Sequence, residues 1–347
     1  MLKKNRIFVN KKNQVMSKGL KIVLNIAVLL LIVGFGFFMI RSISSDQRLP
    51  RLGEEQEIST FVSPYKLVRS FDAESNIVNF YVTENFVFVV LYDKLSVFHL
   101  SGDHFLDFPI EPGVRDIAVV DRTLHLLYFN RMEKHLFFAE RLVNVDVWEA
   151  ASPSSDFRAL AITENYIFVT DIGERQVVQY NREGAVVRFL RSPDRFILPN
   201  RYAFDIITIN DTVFVTNSGR HRIESYTLDG EFITWFGQHG AQAGAFIGCC
   251  NPMYIAATSG GNILTSERGV PRISSYGRDG SFRMVLFDTH ALGGGRMAYR
   301  MRVLGENIYI ASRNTISVYT FDTTRVERPC NRGCSGCTRA CRNQTNN

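Results

Sequence analysis

The sequence predicts an all-β fold, a six-bladed β-propeller, on three observations. From about residue 66 the apolar periodicity is two rather than 3.6, in short runs rich in Val, Ile, Phe, Tyr and Thr broken by Gly, Asp and Asn. Four such runs form a unit, and the unit recurs at intervals of 40 to 50 residues, the pattern of a propeller blade. The sixth copy stops after its third strand, while a lone strand at 66–72 precedes the first copy. The two ends therefore complete one blade and remove two free sheet edges.

Residues 1–21 are a basic tail with seven Lys/Arg and no acid. Ile22 to Ile40 follow as 19 residues without a charge. As a helix they span ~28 Å, close to the ~30 Å hydrocarbon core of a bilayer. Lys21 and Arg41 flank the run, and the positive excess before it puts the N-terminus in the cytoplasm and the rest outside. The segment reads as a transmembrane helix, a retained signal anchor of a single-pass membrane protein. A cleaved signal peptide is the competing reading. Its apolar core would run about 7–15 residues and end at a small-x-small site, which Ser42-Ile43-Ser44 matches poorly. Residues 41–65 are polar, with Pro50 and Gly53, and form a linker.

The propeller occupies 66–326. Its clearest unit is AFDIITINDTVFVTNSGRHRIESYTLDGEFITWF at 203–236, with further copies at 156–190 and 252–287. Weaker copies lie at 76–108 and 296–326, and the copy at 114–148 is degenerate and lacks its turn glycine. An aromatic at the end of each third strand sets the register: Phe98, Phe138, Tyr180, Tyr226, Tyr276 and Tyr319.

These units resemble NHL repeats. The matching features are the strand ends Thr170-Asp171 and Thr216-Asn217, the third-strand starts Arg222-Ile223 and Arg272-Ile273, and the turns Asp229-Gly230 and Asp279-Gly280. The block Gly248-Cys249-Cys250-Asn251-Pro252 is similar to a variant in bacterial membrane-anchored NHL-type propellers. The resemblance implies six blades and says little about activity, because such propellers bind proteins, RNA or sugars and occasionally host enzymes.

Charge excludes one class of partner. Of the net +6, the tails at 1–21 and 325–347 carry +7 and +4, which leaves −5 on residues 22–324. A mildly acidic body is no nucleic-acid surface. The sequence has no GxxxxGK[ST], no GxGxxG between strand and helix, no HExxH and no GxSxG, and its seven histidines show no metal-ligand spacing.

The six cysteines form two groups. Cys330, Cys334, Cys337 and Cys341 lie in the Cys/Arg-rich tail 327–347, where an exported chain would pair them as disulfides. Their spacing also allows zinc or an iron–sulfur cluster. Cys249 and Cys250 make a local thiol site, suited to a vicinal disulfide or to copper or zinc. Propeller topology puts the two groups on opposite faces, with the tail leaving where the linker enters, beside the membrane. The expected function is a membrane-anchored, extracytoplasmic (periplasmic or extracellular) propeller that binds protein partners in a cell-envelope complex. A redox or metal component using the cysteines is the alternative, and a hydrolase or lyase in the channel a third reading.

Overall fold

The computed structural model describes residues 61–325 except Ala139, together with Ala27, Leu29, Leu30 and Val33. Those four residues are helical, and they are all that is described of the predicted anchor Ile22–Ile40. Among the described residues no helix is long and apolar enough to cross a membrane. The tail cysteines also lie outside the described residues.

The strand β1 (Tyr65–Asp72) comes first in the chain and last in the ring. Blade 1 is β2 (Asn79–Val82), β3 (Phe86–Val90), β4 (Lys94–His99) and β5 (His104–Pro109). Blade 2 is β6 (Asp116–Val120), β7 (Thr123–Leu127), β8 (Arg131–Phe138) and β9 (Arg141–Glu149). Blade 3 is β10 (Phe157–Ile162), β11 (Tyr166–Asp171), β12 (Gln176–Asn181) and β13 (Val186–Leu190). Blade 4 is β14 (Ile206–Ile209), β15 (Thr212–Asn217), β16 (Arg222–Thr227) and β17 (Phe232–Phe236). Blade 5 is β18 (Tyr254–Ala257), β19 (Ile263–Ser266), β20 (Ile273–Tyr276) and β21 (Phe282–Phe287). Blade 6 takes β22 (Arg300–Leu304), β23 (Asn307–Ser312) and β24 (Thr315–Phe321), then β1 as its outer strand. Every sheet is an antiparallel meander, and the inner strands β2, β6, β10, β14, β18 and β22 pack in a closed ring.

Closure follows the predicted pairing. β1 runs antiparallel to β24 from Tyr65 opposite Phe321 to Asp72 opposite Thr315. Beyond the strands, Asp322 N–H donates to the Pro64 carbonyl at 2.8 Å, and Arg325 donates to the Tyr65 carbonyl at 3.1 Å. The Phe71 ring sits 5.2 Å from that of Phe98, so the joint also packs blade 6 on blade 1.

The meander fixes two faces. Inner strands begin, and outer strands end, on a face carrying the long connections 191–205, 237–253 and 288–299. The other face carries tight turns such as Asn210-Asp211 and Asp279-Gly280, and it holds the closing joint. Gly280 is at φ 81°, and a Cβ there would lie 2.3 Å from Phe236 Cβ, so this turn admits only glycine. The core lies in the wedges between blades. Phe88, Val97 and Phe108 of blade 1 meet Ile117, Leu124 and Leu126 of blade 2, and Phe80 and Val82 meet Tyr309 and Val318 of blade 6.

The residues that carry the repeat resemblance stitch blades together. Thr170 Oγ1 accepts from Ala159 N–H and donates to the Phe204 carbonyl of the connection into blade 4, both at 2.9 Å. Asn217 accepts from Ile197 N–H at 2.9 Å and donates to Glu224 at 2.7 Å, where Arg222 also donates at 2.8 Å.

Blade 2 corrects the sequence register. Tyr180, Tyr226, Tyr276 and Tyr319 lie opposite Ile167, Val213, Ile263 and Ile308, each the first or second residue of its partner strand. In blade 2 that position, opposite Leu124, belongs to His135. Phe138 lies beyond it on a longer β8 and is exposed. The degenerate copy keeps the local chemistry: Arg131, Glu133 and His135 interact as Arg222, Glu224 and Tyr226 do in blade 4.

Candidate functional site

The inner strands enclose a channel whose polar residues cluster where those strands begin. Asp116, first in β6, is the hub. Its Oδ1 accepts from Asn79 Nδ2 at 2.6 Å, from its own neighbour Ile117 N–H at 2.9 Å and from Arg302 at 3.1 Å. Its Oδ2 accepts from Leu160 N–H at 2.9 Å. One carboxylate thus ties blade 2 to blades 1, 3 and 6, and the bonds offset the cost of burying it. Asp205 does the same between blades 4 and 5 by accepting from Ile255 N–H at 2.8 Å. Burial pushes the Asp205 carboxyl above the usual carboxylate range.

Arg302 closes the ring from the other side. It reaches from β22 across blade 1, over the rings of Phe80 and Tyr81, to the carboxylate of blade 2. Toward the turn face the channel holds a cavity of about 200 Å³ lined by these polar groups and by Ala118, Ala161 and Ala256.

Toward the loop face it opens into a second cavity of about 290 Å³, lined by Arg115, Arg158, Arg300, Tyr92, Tyr202 and Tyr254 among others. The strand period of two sets Arg300 on the same side of β22 as Arg302. Arg158 and Arg300 are 8 % and 9 % exposed. Arg300 stacks on the Tyr254 ring at 4.5 Å, and Arg158 on Tyr202 at 5.1 Å. Arg158 also donates to the Tyr202 carbonyl at 3.4 Å. Among the described residues neither arginine, nor Arg115, forms an ion pair with a carboxylate. Among the described residues the buried Arg115 Nε has no hydrogen-bond partner. Burial, then the adjacent Arg300 charge, pulls Arg158 below the ordinary guanidinium value. An arginine still stays protonated under such conditions.

Cys249 and Cys250 lie apart from this channel, in the 237–253 connection on the loop face. Their sulfurs are 3.5 Å apart, with Cys249 exposed and Cys250 buried. Burial, reinforced by the neighbouring thiol, pushes Cys250 up. Buried Asn251 pins the turn: it donates to the Ile247 carbonyl at 2.6 Å and the Arg268 carbonyl at 2.9 Å, and accepts from Arg268 N–H. Among the described residues no three His, Cys, Asp or Glu side chains group to hold a metal ion.

None of the seven histidines lines either end of the channel. The channel arginines were not singled out by sequence reasoning. Their signal was a charge where an inner strand should be apolar, in FRALAI at 157–162 and RMRVL at 300–304.

No family model and no curated protein matches the chain. Solved structures do. A streptogramin B lyase is 13 % identical with a TM-score of 0.51, covering 74 % of this chain and 97 % of that one. A protein of unknown function from Bacteroides thetaiotaomicron is 12 % identical with a TM-score of 0.52, covering 74 % and 75 %. A catalytically inactive virginiamycin B lyase from Staphylococcus aureus, solved with quinupristin, is 13 % identical at 0.49, covering 74 % and 99 %. At such identities the likeness shows the fold, a six-bladed β-propeller, and nothing of the chemistry.

Proposed function

We propose that this chain is a membrane-tethered binding propeller of the NHL type, displayed outside the cytoplasm as a scaffold subunit of a cell-envelope complex. The observation that carries the reading is the position of the two ends of the propeller. The bond from Asp322 N–H to the Pro64 carbonyl holds the incoming and outgoing chain together on the turn face. The closing strand starts on the turn face, and the reading assigns the loop face with the channel mouth to a partner. The uncharged run Ile22–Ile40 behind seven positive charges supports the anchor and its orientation. A reporter fused after Asn347 is expected to be active only outside the cytoplasm, in a protein that keeps residues 1–40. A mature N-terminus near Ser45 sinks the tether.

A thiol-redox role is the second reading, favoured by the 3.5 Å separation of the Cys249 and Cys250 sulfurs. It requires the pair to cycle between dithiol and vicinal disulfide. Metal analysis with a thiol count, on protein purified without chelator, tests it and the tail cysteines together.

A further inference from the structure

The buried charge of the channel does not balance. Arg158, Arg300 and Arg302 face Asp116 and Asp205, and Asp116 is already committed to Arg302. Asp205 Oδ2 accepts from a backbone N–H, and among the described residues Asp205 forms no ion pair. Among the described residues two arginines, each about nine-tenths buried, thus lack a carboxylate in ion-pair contact at the head of a cavity of about 290 Å³, and Asp116 and Asp205 act on Arg300 only from a distance. An uncompensated buried charge is strongly unfavourable unless something else neutralises it. The tyrosine stacking does not do so fully. It engages the guanidinium carbons of both; among the described residues Arg158 has one side-chain hydrogen bond, from Nε to the Tyr202 carbonyl, and Arg300 has none.

We propose that the channel mouth is an oxyanion site, where Arg158 and Arg300 grip a carboxylate or phosphate group on a small ligand or chain end. The planar fork of a guanidinium matches two oxygens of such a group, which a lone ammonium would not. Arg115 on the rim adds a third positive charge. Tyr92, Tyr202 and Tyr254 offer flat walls for the ligand's apolar body. A neighbouring cleft of about 880 Å³ shares Val78, Tyr254 and Arg300 with the mouth and adds Arg296, Arg313 and the Gly293–Gly295 turn, giving space for the rest of a longer ligand. The recess is too small for a nucleic-acid duplex, and its positive charge disfavours a metal cation. This names a ligand for the free face proposed above and rests on that reading only in treating that face as uncovered.

Thermal-shift and calorimetric titration of the full chain in neutral detergent test the site, with inorganic phosphate, succinate and chloride compared at matched ionic strength. Phosphate, succinate or both are expected to bind saturably and to raise the melting temperature beyond chloride. A response to one alone identifies the acid group. Arg158→Met and Arg300→Met are each expected to weaken that binding at least tenfold, and Arg158→Met, which removes the charge that burial and Arg300 disfavour, is expected also to raise the melting temperature of the unliganded protein. A purely structural arginine would give the opposite sign. Arg115→Met, on the rim and only half-buried, is expected to weaken binding several-fold and guards against misfolding of the buried variants. No response beyond chloride, or unchanged affinity in all three variants, overturns the proposal. Either failure leaves the free-face reading to its own crosslinking test.

Discussion

Asp116 and Arg302 meet at 3.1 Å although their strands belong to blades 2 and 6, with blade 1 between them. The pair is a bolt across the channel, and Asp116 carries three further hydrogen bonds with it. Asp116→Ala leaves Arg302 facing a low-dielectric channel without its partner and is expected to cost about 3–5 kcal/mol. Arg302→Met strands the carboxylate less completely, because Asn79, Ile117 and Leu160 still donate to it. In a double-mutant cycle by chemical denaturation the combined change should cost clearly less than the sum of the two. Strict additivity would show that the two groups do not interact in solution.

The closing strand gives the second prediction. Deleting 62–72 exposes the edge of β24 and removes Phe71 from its contact with Phe98. The melting temperature of the whole propeller should fall in one cooperative step. A deletion variant that melts as the parent does would mean the ring closes without β1.

Acid should loosen blade 2 in particular. His125 is fully buried, and desolvation, with the charges of Arg182 and Lys134 nearby, brings its pKa down from 6.5 to about 4. The unfolded chain takes up this proton near pH 6.5, and the folded chain only near pH 4. Stability from this residue is therefore complete above pH 6.5 and lost as pH falls toward 4, by up to about 3 kcal/mol. His125→Leu should flatten the pH dependence of the melting temperature across that window. An equally steep dependence in the variant would assign the acid response elsewhere.

The two thiols of the 237–253 connection should react unequally. Cys249 is exposed, whereas Cys250 is buried with its thiol pushed up. A maleimide at neutral pH is expected to label Cys249 first, with Cys250 following only slowly or after unfolding. Replacing Cys330, Cys334, Cys337 and Cys341 by Ser should leave that order and the melting temperature unchanged. Equal labelling of the pair would mean the loop opens readily.

The fold was legible because a blade is local. Strand, turn and strand recur within one copy, and Gly280 or Thr170 performs its task against an adjacent blade. The closing strand was legible because 66–72 had no copy of its own. The register of blade 2 was not, since Phe138 supplied an aromatic that matched better than His135 while the actual partner, Glu133, lies two residues before the histidine. The channel mouth was hidden for a different reason. Arg115, Arg158 and Arg300 come from three different copies, and only closure of the ring brings them to one cavity. Arg115 lies just before β6, and Arg158 and Arg300 each show in the sequence only as an isolated charge in an inner strand.

The central claim is that the loop face does the binding, and site-specific photo-crosslinking in intact cells tests it most directly. A photoreactive residue in place of Tyr202, at the channel mouth, is compared with one in place of Asp211, in a turn on the opposite face. Defined adducts from position 202, absent from position 211 and lost when Arg300→Met is added, are the expected result. Adducts from position 211 alone would contradict the assignment and move the binding surface to the face where the chain enters and leaves.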